Sequence, residues 1–260
     1  MQQQYQHISS NIQNYSLIIT LSRVEKKNAL DPIMIKNLQE ILDDNKNNHN
    51  IRVVVLQSSS DVFCAGADIE YLHKMRNFSY EDNLNDSKQL MLLFKTILSY
   101  PKLIISKVDG AALGGGCGIV TASDIVFATQ KSSFGYPEVK IGFTPALVSA
   151  FLMEKVNLTN TRELLLSGKI INAEKAQKIG LINFIHTEAQ LNKEMDIFIK
   201  KIITKTSPDS IHATKQILYT QLDIDNKLER AAEFNAKSRM SNDFKKGIQL
   251  FLEKKPHNWI

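Results

Sequence analysis

Four short, nearly unbroken apolar runs in the first half of the chain most constrain its fold. They are Ser16–Leu21, Arg52–Gln57, Lys102–Val108 and Ile125–Ala128, rich in Val and Ile. β-Branched side chains favour extended backbone. A strand with one wet face alternates apolar and polar residues, so runs without that alternation predict strands covered on both faces. Amphipathic helical stretches lie between them. In Asp31–Asp44, Ile33, Ile35, Leu38, Ile41 and Leu42 fall mostly on one helical face. Asp31-Pro32 fits an N-cap followed by proline at the first helical position. Tyr80–Tyr100 is a second such stretch, stopped by Pro101. Strands alternating with helices predict the α/β class.

After about residue 145 the pattern becomes helix upon helix. Thr161–Leu166 stops near Gly168, and Asn172–Ile179 runs from a capping Asn to Gly180. Further helical runs cover Glu188–Thr204, Pro208–Asp223, Asn226–Arg239 and Asp243–Glu253, with a joint at Ser207-Pro208. This tail is too apolar on one face to stand alone, so it must pack on the core, on a partner subunit, or on both. The expected division is a core over residues 1–195 and a helical oligomerisation region over 196–260. There is no internal repeat.

Composition narrows the function classes. The 260 residues are 43% hydrophobic and 23% charged, ordinary for a water-soluble globular protein. The net charge of +5 is spread through the helices with no dense basic tract, so no nucleic-acid partner is expected. A mild positive bias does suit a small phosphate-bearing ligand. The two cysteines, Cys64 and Cys117, and the scattered histidines have no metal-type spacing, so no metal is expected. The cysteines read as small buried side chains of a reducing compartment. The polar, Gln-rich start from Met1 to Asn14 has no apolar core of a signal peptide, and no run is long enough to cross a bilayer. A cytoplasmic protein is the expectation.

Two Gly-rich stretches carry most of the chemistry: Phe63-Cys64-Ala65-Gly66-Ala67-Asp68 and Ala112-Leu113-Gly114-Gly115-Gly116-Cys117-Gly118. Each follows a strand-like run and lets backbone approach a ligand closely. If the Ala67 and Gly115 N–H groups face one point, they form an oxyanion hole for a thioester carbonyl, each donor worth roughly 3–4 kcal/mol of barrier. The second stretch also opens a helix, whose free N–H groups favour a developing anion. Neither stretch has the Gly-Lys-Ser/Thr ending of a phosphate loop or the dinucleotide fingerprint. About twenty residues on, Phe134-Gly135-Tyr136-Pro137-Glu138-Val139 supplies a lone carboxylate, either an acid/base or a surface partner of Lys140.

At these residues the chain resembles the crotonase, or enoyl-CoA hydratase/isomerase, superfamily. The resemblance also takes in Lys27-Asn28-Ala29-Leu30, Asp109-Gly110-Ala111, Ala122-Ser123-Asp124-Ile125, Leu166-Ser167-Gly168 and the ending Phe251-Leu252-Glu253-Lys254-Lys255. It implies a spiral of ββα turns with a C-terminal helical region, acyl-CoA substrates, no cofactor beyond the coenzyme A of the substrate, and a homotrimer or homohexamer. It implies that Ala67 and Gly115 donate to the oxyanion and that Glu138 does acid/base work. Ala65, Asp68 and Ile69 would line the adenine end of coenzyme A. Lys26 or Lys27, and Lys254 from a neighbouring subunit, would meet its phosphates.

One position departs from the pattern. Typical hydratases similar to this chain carry a second Glu directly after the Gly-Gly-Gly-Cys run, where this chain has Gly118. One carboxylate can both activate water and deliver a proton, and it also suffices to move a proton from C2 to C4, so hydration and isomerisation both stay open. A non-catalytic binder of CoA thioesters is a third reading. The stretches Tyr80–Asp86 and Glu138–Ala146 resemble bacterial methylglutaconyl-CoA hydratases of leucine breakdown. An acidic substrate of that kind needs a basic partner, for which Lys74 and Arg76 are candidates. Asp124 reads as structural, Tyr136 as a shaper of the pocket, Phe251 and Trp259 as packing anchors, and Phe234 as a weak candidate for the acyl pocket.

Overall fold

The computed structural model of the chain describes residues 2–259; Met1 and Ile260, the outer limits of the two expected regions, lie outside the described residues. The chain opens with β1 (Gln2–Tyr5), β2 (Ile8–Gln13) and β3 (Ser16–Leu21), then α1 (Pro32–Asn45). The centre holds β4 (Val53–Ser58), β5 (Val62–Cys64), α2 (Ile69–Met75), α3 (Tyr80–Ser99), β6 (Leu103–Val108), β7 (Ala111–Leu113) and α4 (Gly115–Ala122). There follow β8 (Ile125–Thr129), β9 (Ser133–Gly135), the 3-10 helix Pro137–Ile141, α5 (Ala146–Ser167), β10 (Ile170–Asn172), α6 (Ala173–Lys178) and β11 (Phe184–His186). Four helices close the chain: α7 (Glu188–Lys205), α8 (Pro208–Gln221), α9 (Ile224–Arg239) and α10 (Asn242–Leu252).

Two sheets result. The large one has the order β1-β2-β3-β4-β6-β8-β11 and the small one β10-β9-β7-β5. The strands β3, β4, β6, β8 and β11 are parallel, as are β5, β7 and β9. Each turn of the chain lays one strand in the large sheet, the next in the small sheet, and crosses back by helix. This is the ββα spiral, with the C-terminal helices that the resemblance implies.

The apolar runs are continuous because the large sheet separates two cores. Along β4, Val54 and Leu56 face the main core, while Val53 and Val55 pack with Ile105, Phe127 and the α7 residues Leu191, Met195 and Ile199. The period of two sends alternate side chains to opposite faces, and both faces are dry. The helix signals also act as read. The Asp31 carboxylate accepts from the Met34 N–H with Pro32 in the first turn, and Ser79 with Asp82 forms a capping box on α3. Asp124 is structural: it accepts the Ile104 N–H at 2.7 Å and pairs with buried Lys215 of α8 at 2.6 Å.

One element went unread and one reading needs correction. The polar start folds as an antiparallel ribbon on the sheet edge, with Ile8 fully buried and paired to Leu21. Tyr5, Ile8 and Ile12 are its only apolar side chains, so composition hid the strands. The stretch after residue 145 is not purely helical, because the three-residue strands β10 and β11 each extend a sheet. Strands that short carry no readable periodicity. The 195/196 division falls inside α7. Among the described residues no helix is long and apolar enough to cross a membrane.

Candidate active site

The two Gly-rich stretches become two loops at the ends of short neighbouring strands. In the first, the Leu30 N–H donates to the Gly66 carbonyl (2.7 Å) and the Asp68 N–H to the Leu30 carbonyl (2.8 Å). This single parallel bridge turns the Ala67 N–H away from Leu30. Asn28, wholly buried at left-handed φ, holds the loop from behind. Its side chain accepts the Arg23 N–H at 2.8 Å and donates to Ser58 Oγ at 2.8 Å and the Val62 carbonyl at 3.0 Å. The sequence reading quoted Asn28 within a motif and gave it no role.

The second loop turns at Gly114 (φ +52°), the N-cap of α4, which leaves the Gly115 N–H in the unsatisfied first turn. The two loops press together. A Cβ on Gly66 (φ +96°) would stand 3.0 Å from the Leu113 carbonyl oxygen, and one on Gly114 would stand 3.6 Å from the Gly66 Cα. Both positions therefore need glycine, for conformation and for space. Neither the Ala67 nor the Gly115 N–H donates to any acceptor among the described residues.

Glu138 stands at the start of the 3-10 helix, set by Pro137 and closed by Gly142 in left-handed conformation. A Cβ on Gly114 would lie 3.1 Å from Glu138 Oε1, so the carboxylate borders the loop that carries Gly115. Its Oε2 is sealed from solvent and accepts no hydrogen bond. Burial pushes its pKa up to about 7, against the opposing pull of its own backbone N–H. A carboxyl held there exchanges protons readily near neutral pH. Behind it, Tyr136 is fully buried, hydrogen-bonds with Thr121, and does not line the cavity. Burial pushes both Cys64 and Cys117 thiols up to about 12, so neither is a nucleophile.

The position of the missing second carboxylate is filled. A Cβ on Gly118 would stand 2.6 Å from Phe94 Cζ and 2.9 Å from Val148 Cγ1. The cavity wall that Gly118 backs, formed by Phe94 and Val148, is therefore hydrocarbon at the position where the resemblance implies a second Glu.

All of these groups open onto one cavity of about 1230 Å³. Glu138, Ala67 and Gly115 line it together. So do Lys26, Ala65, Asp68, Ile69 and Lys254. The Lys26 ammonium lies 2.5 Å from the Glu70 carboxylate. The Asp68 carboxylate is taken up by half-buried Arg23 at 2.7 Å and by the Tyr71 N–H at 3.1 Å, where it caps α2. Lys254 was expected from a neighbouring subunit; here the chain's own Lys254 lines the cavity, because α10 packs back over α2 and the 3-10 helix. Phe234 is 62% exposed and outside this cavity, whereas Phe251 lines it. Lys74 and Arg76 do not line it, Arg76 being bound to Gln249 Oε1 at 2.7 Å. Reading the sequence missed Tyr71, Asp86, Asn235 and Arg239, which line the cavity from α2, α3 and α9.

Comparison with known proteins agrees with this arrangement. A Thermus thermophilus protein provisionally named an enoyl-CoA hydratase is 34% identical over 241 residues, covering 92% of this chain and 95% of that protein. The 2,3-dehydroadipyl-CoA hydratase of Escherichia coli is 28% identical, over 92% of both chains. The crystal structure of an enoyl-CoA hydratase from Bacillus halodurans superposes with a TM-score of 0.87 at 27% identity, covering 94% of this chain and 99% of that one. Residues 11–260 match the model of the enoyl-CoA hydratase/isomerase family. A match over nearly the whole chain, on the same spiral and with both loops in place, decides membership: this chain belongs to the enoyl-CoA hydratase/isomerase family.

Proposed function

We propose that the chain catalyses the reversible addition of water to an α,β-unsaturated acyl-CoA. The observation that carries this reading is a carboxylate whose Oε2 is buried and accepts no hydrogen bond, lining one cavity with two backbone N–H groups that have no acceptor among the described residues. The thioester oxygen accepts from the Ala67 and Gly115 N–H groups. Glu138, as carboxylate, takes a proton from water as the water oxygen bonds to C3. The C2=C3 electron pair moves onto the thioester as an enolate, held by the two donors. The same Glu138 then returns the proton to C2, so one water is added and the enzyme is restored. Coenzyme A enters with the substrate and no further cofactor is required. In this reading Ala65, Asp68 and Ile69, which line the cavity, flank its adenine, and Lys26 and Lys254 meet its phosphates.

3-Methylglutaconyl-CoA, an intermediate of leucine degradation, is the substrate we would assign first, in a cytoplasmic homotrimer or homohexamer. Exposed Ile217 and Leu218 on α8 and Phe234 on α9 support assembly through the C-terminal helices, and light scattering tests it. The filled position at Gly118 favours a second reading, an enoyl-CoA isomerase in which Glu138 moves a proton from C2 to C4. One assay separates the readings. Loss of enoyl absorbance with crotonyl-CoA or 3-methylglutaconyl-CoA, with water in the product, supports the hydratase. No loss with either, while a 3-enoyl-CoA gains that absorbance, supports the isomerase. Binding without any turnover supports a non-catalytic CoA-thioester protein.

A further inference from the structure

Away from Glu138 the cavity wall changes character. Phe94, Leu90 and Asp86 all line it from one face of α3, at successive four-residue steps. From Phe94, which packs against Gly118, to Asp86 is about 12 Å along the helix at 1.5 Å per residue. The wall thus runs from hydrocarbon beside the reaction centre to a buried polar group at its far end.

That group is built from three elements. Arg239, at the end of α9 and 4% exposed, donates through Nη1 to Asp86 Oδ2 at 2.6 Å. Tyr71 of α2 donates its hydroxyl to Asp86 Oδ1 at 2.8 Å. The guanidinium lies 5.6 Å from the centre of the Phe143 ring, which fixes its plane. Asn235, one turn before Arg239 and also 4% exposed, accepts from Ser87 Oγ at 3.0 Å. Donors remain unused. Arg239 Nε is buried without an acceptor. Arg239 Nη2 and Asn235 Nδ2 also donate to nothing among the described residues, on side chains that line the cavity. A buried ion pair is no better for stability than a well-packed hydrocarbon pair. A pair that lines a cavity and leaves donors open is a recognition device.

We propose that the far end of the cavity, built on Arg239, Asp86, Tyr71 and Asn235, recognises an acyl group that ends in an oxygen acceptor, a carboxylate above all. This rests on the acyl-CoA reading of the site and narrows its substrate class. Arg239 keeps Asp86 as its permanent counter-ion, and the acceptor takes the open Nη2 and Asn235 donors. An acyl chain ending in a methyl group would leave those donors buried and unpaired, a loss that discriminates strongly.

Binding of saturated esters tests this without requiring turnover. Hexanoyl-CoA, adipoyl-CoA and 6-hydroxyhexanoyl-CoA are titrated calorimetrically into the full-length protein. Adipoyl-CoA should bind at least tenfold tighter than hexanoyl-CoA. The hydroxy ester falls between them if charge contributes, and equals adipoyl-CoA if the hydrogen bond alone is read. The double variant Asp86→Leu/Arg239→Met, which removes both charges and strands neither, should weaken adipoyl-CoA at least tenfold and tighten hexanoyl-CoA. Tyr71→Phe, which alters the cluster least and serves if the double variant does not fold, should narrow the preference. Equal binding of all three esters, or a preference unchanged in the variants, overturns the proposal while leaving the acyl-CoA site intact. Failure of every ester to bind overturns the acyl-CoA reading itself.

Discussion

Asp68 and Glu138 line the same cavity, sit in neighbouring loops and have opposite electrostatic fates. Burial raises both. At Asp68 the Tyr71 N–H and Arg23 outweigh burial and hold the carboxyl below its usual range. At Glu138 nothing but its own backbone N–H opposes burial, and the carboxyl rises to about 7. Two carboxylates within one cavity thus divide the labour: the paired one holds the loop and the unpaired one is free to exchange a proton. Burial and partner geometry together set the two groups apart.

The contrast can be broken most sharply at Glu138. Glu138→Gln should lower kcat by about 10³–10⁴, with CoA-ester binding retained, in steady-state and calorimetric assays. Near-normal turnover would remove Glu138 from the mechanism. Next comes the donor it serves. Gly115→Pro deletes one N–H at a helix position that accepts proline, and should lower kcat by about 10²–10³; Gly115→Ala keeps the N–H and should retain far more activity.

Asp68→Asn is the converse experiment. It removes the shortest ion pair of Arg23 while Asp31 stays 3.4 Å from the guanidinium, and should cost about 1–3 kcal/mol in urea unfolding, with a far smaller effect on kcat than Glu138→Gln. A larger loss of kcat than of stability would erase the contrast.

A pH series sharpens it further. The proposed mechanism needs the Glu138 carboxylate, so kcat/KM should fall about tenfold per unit below pH about 7. The linkage sign for stability is opposite. The folded chain holds this proton more tightly than the unfolded chain, so the associated stability is full below pH 4.5 and lost as pH rises through about 7. Glu138→Gln, which cannot ionise, should therefore be more stable than wild type above pH 7, by up to about 3 kcal/mol, and the gap should close near pH 4. The smallest effect is expected at Gly118→Ala, whose methyl meets Phe94 and Val148 and should cost about 1–3 kcal/mol by overpacking. A neutral result there would mean that the wall yields and could readmit a second carboxylate.

Much of this was legible in order of residues. The apolar runs, the Asp31-Pro32 start of α1, the stop at Pro101 and the two glycine-rich loops are local signals, written within a few residues of where they act. The edge ribbon β1-β2 escaped because most of its residues are polar and show no apolar alternation. The strands β10 and β11 escaped because three residues carry no period. That the chain's own Lys254 lines the cavity escaped because a sequence does not say where α10 folds back.

The chain order alone determined the α/β class, the pair of loops able to present N–H groups, and a lone carboxylate at Glu138 that only the family resemblance turned toward acid/base work. Each follows from backbone propensity, glycine conformation or residue chemistry within one short segment. The tertiary structure decided what surrounds them: that Glu138 has no partner while Asp68 has Arg23, that Phe94 and Val148 fill the space beside Gly118, and that Arg239 meets Asp86 across a separation of 153 residues. Those outcomes depend on packing and desolvation between distant segments, and no local pattern of residues encodes them.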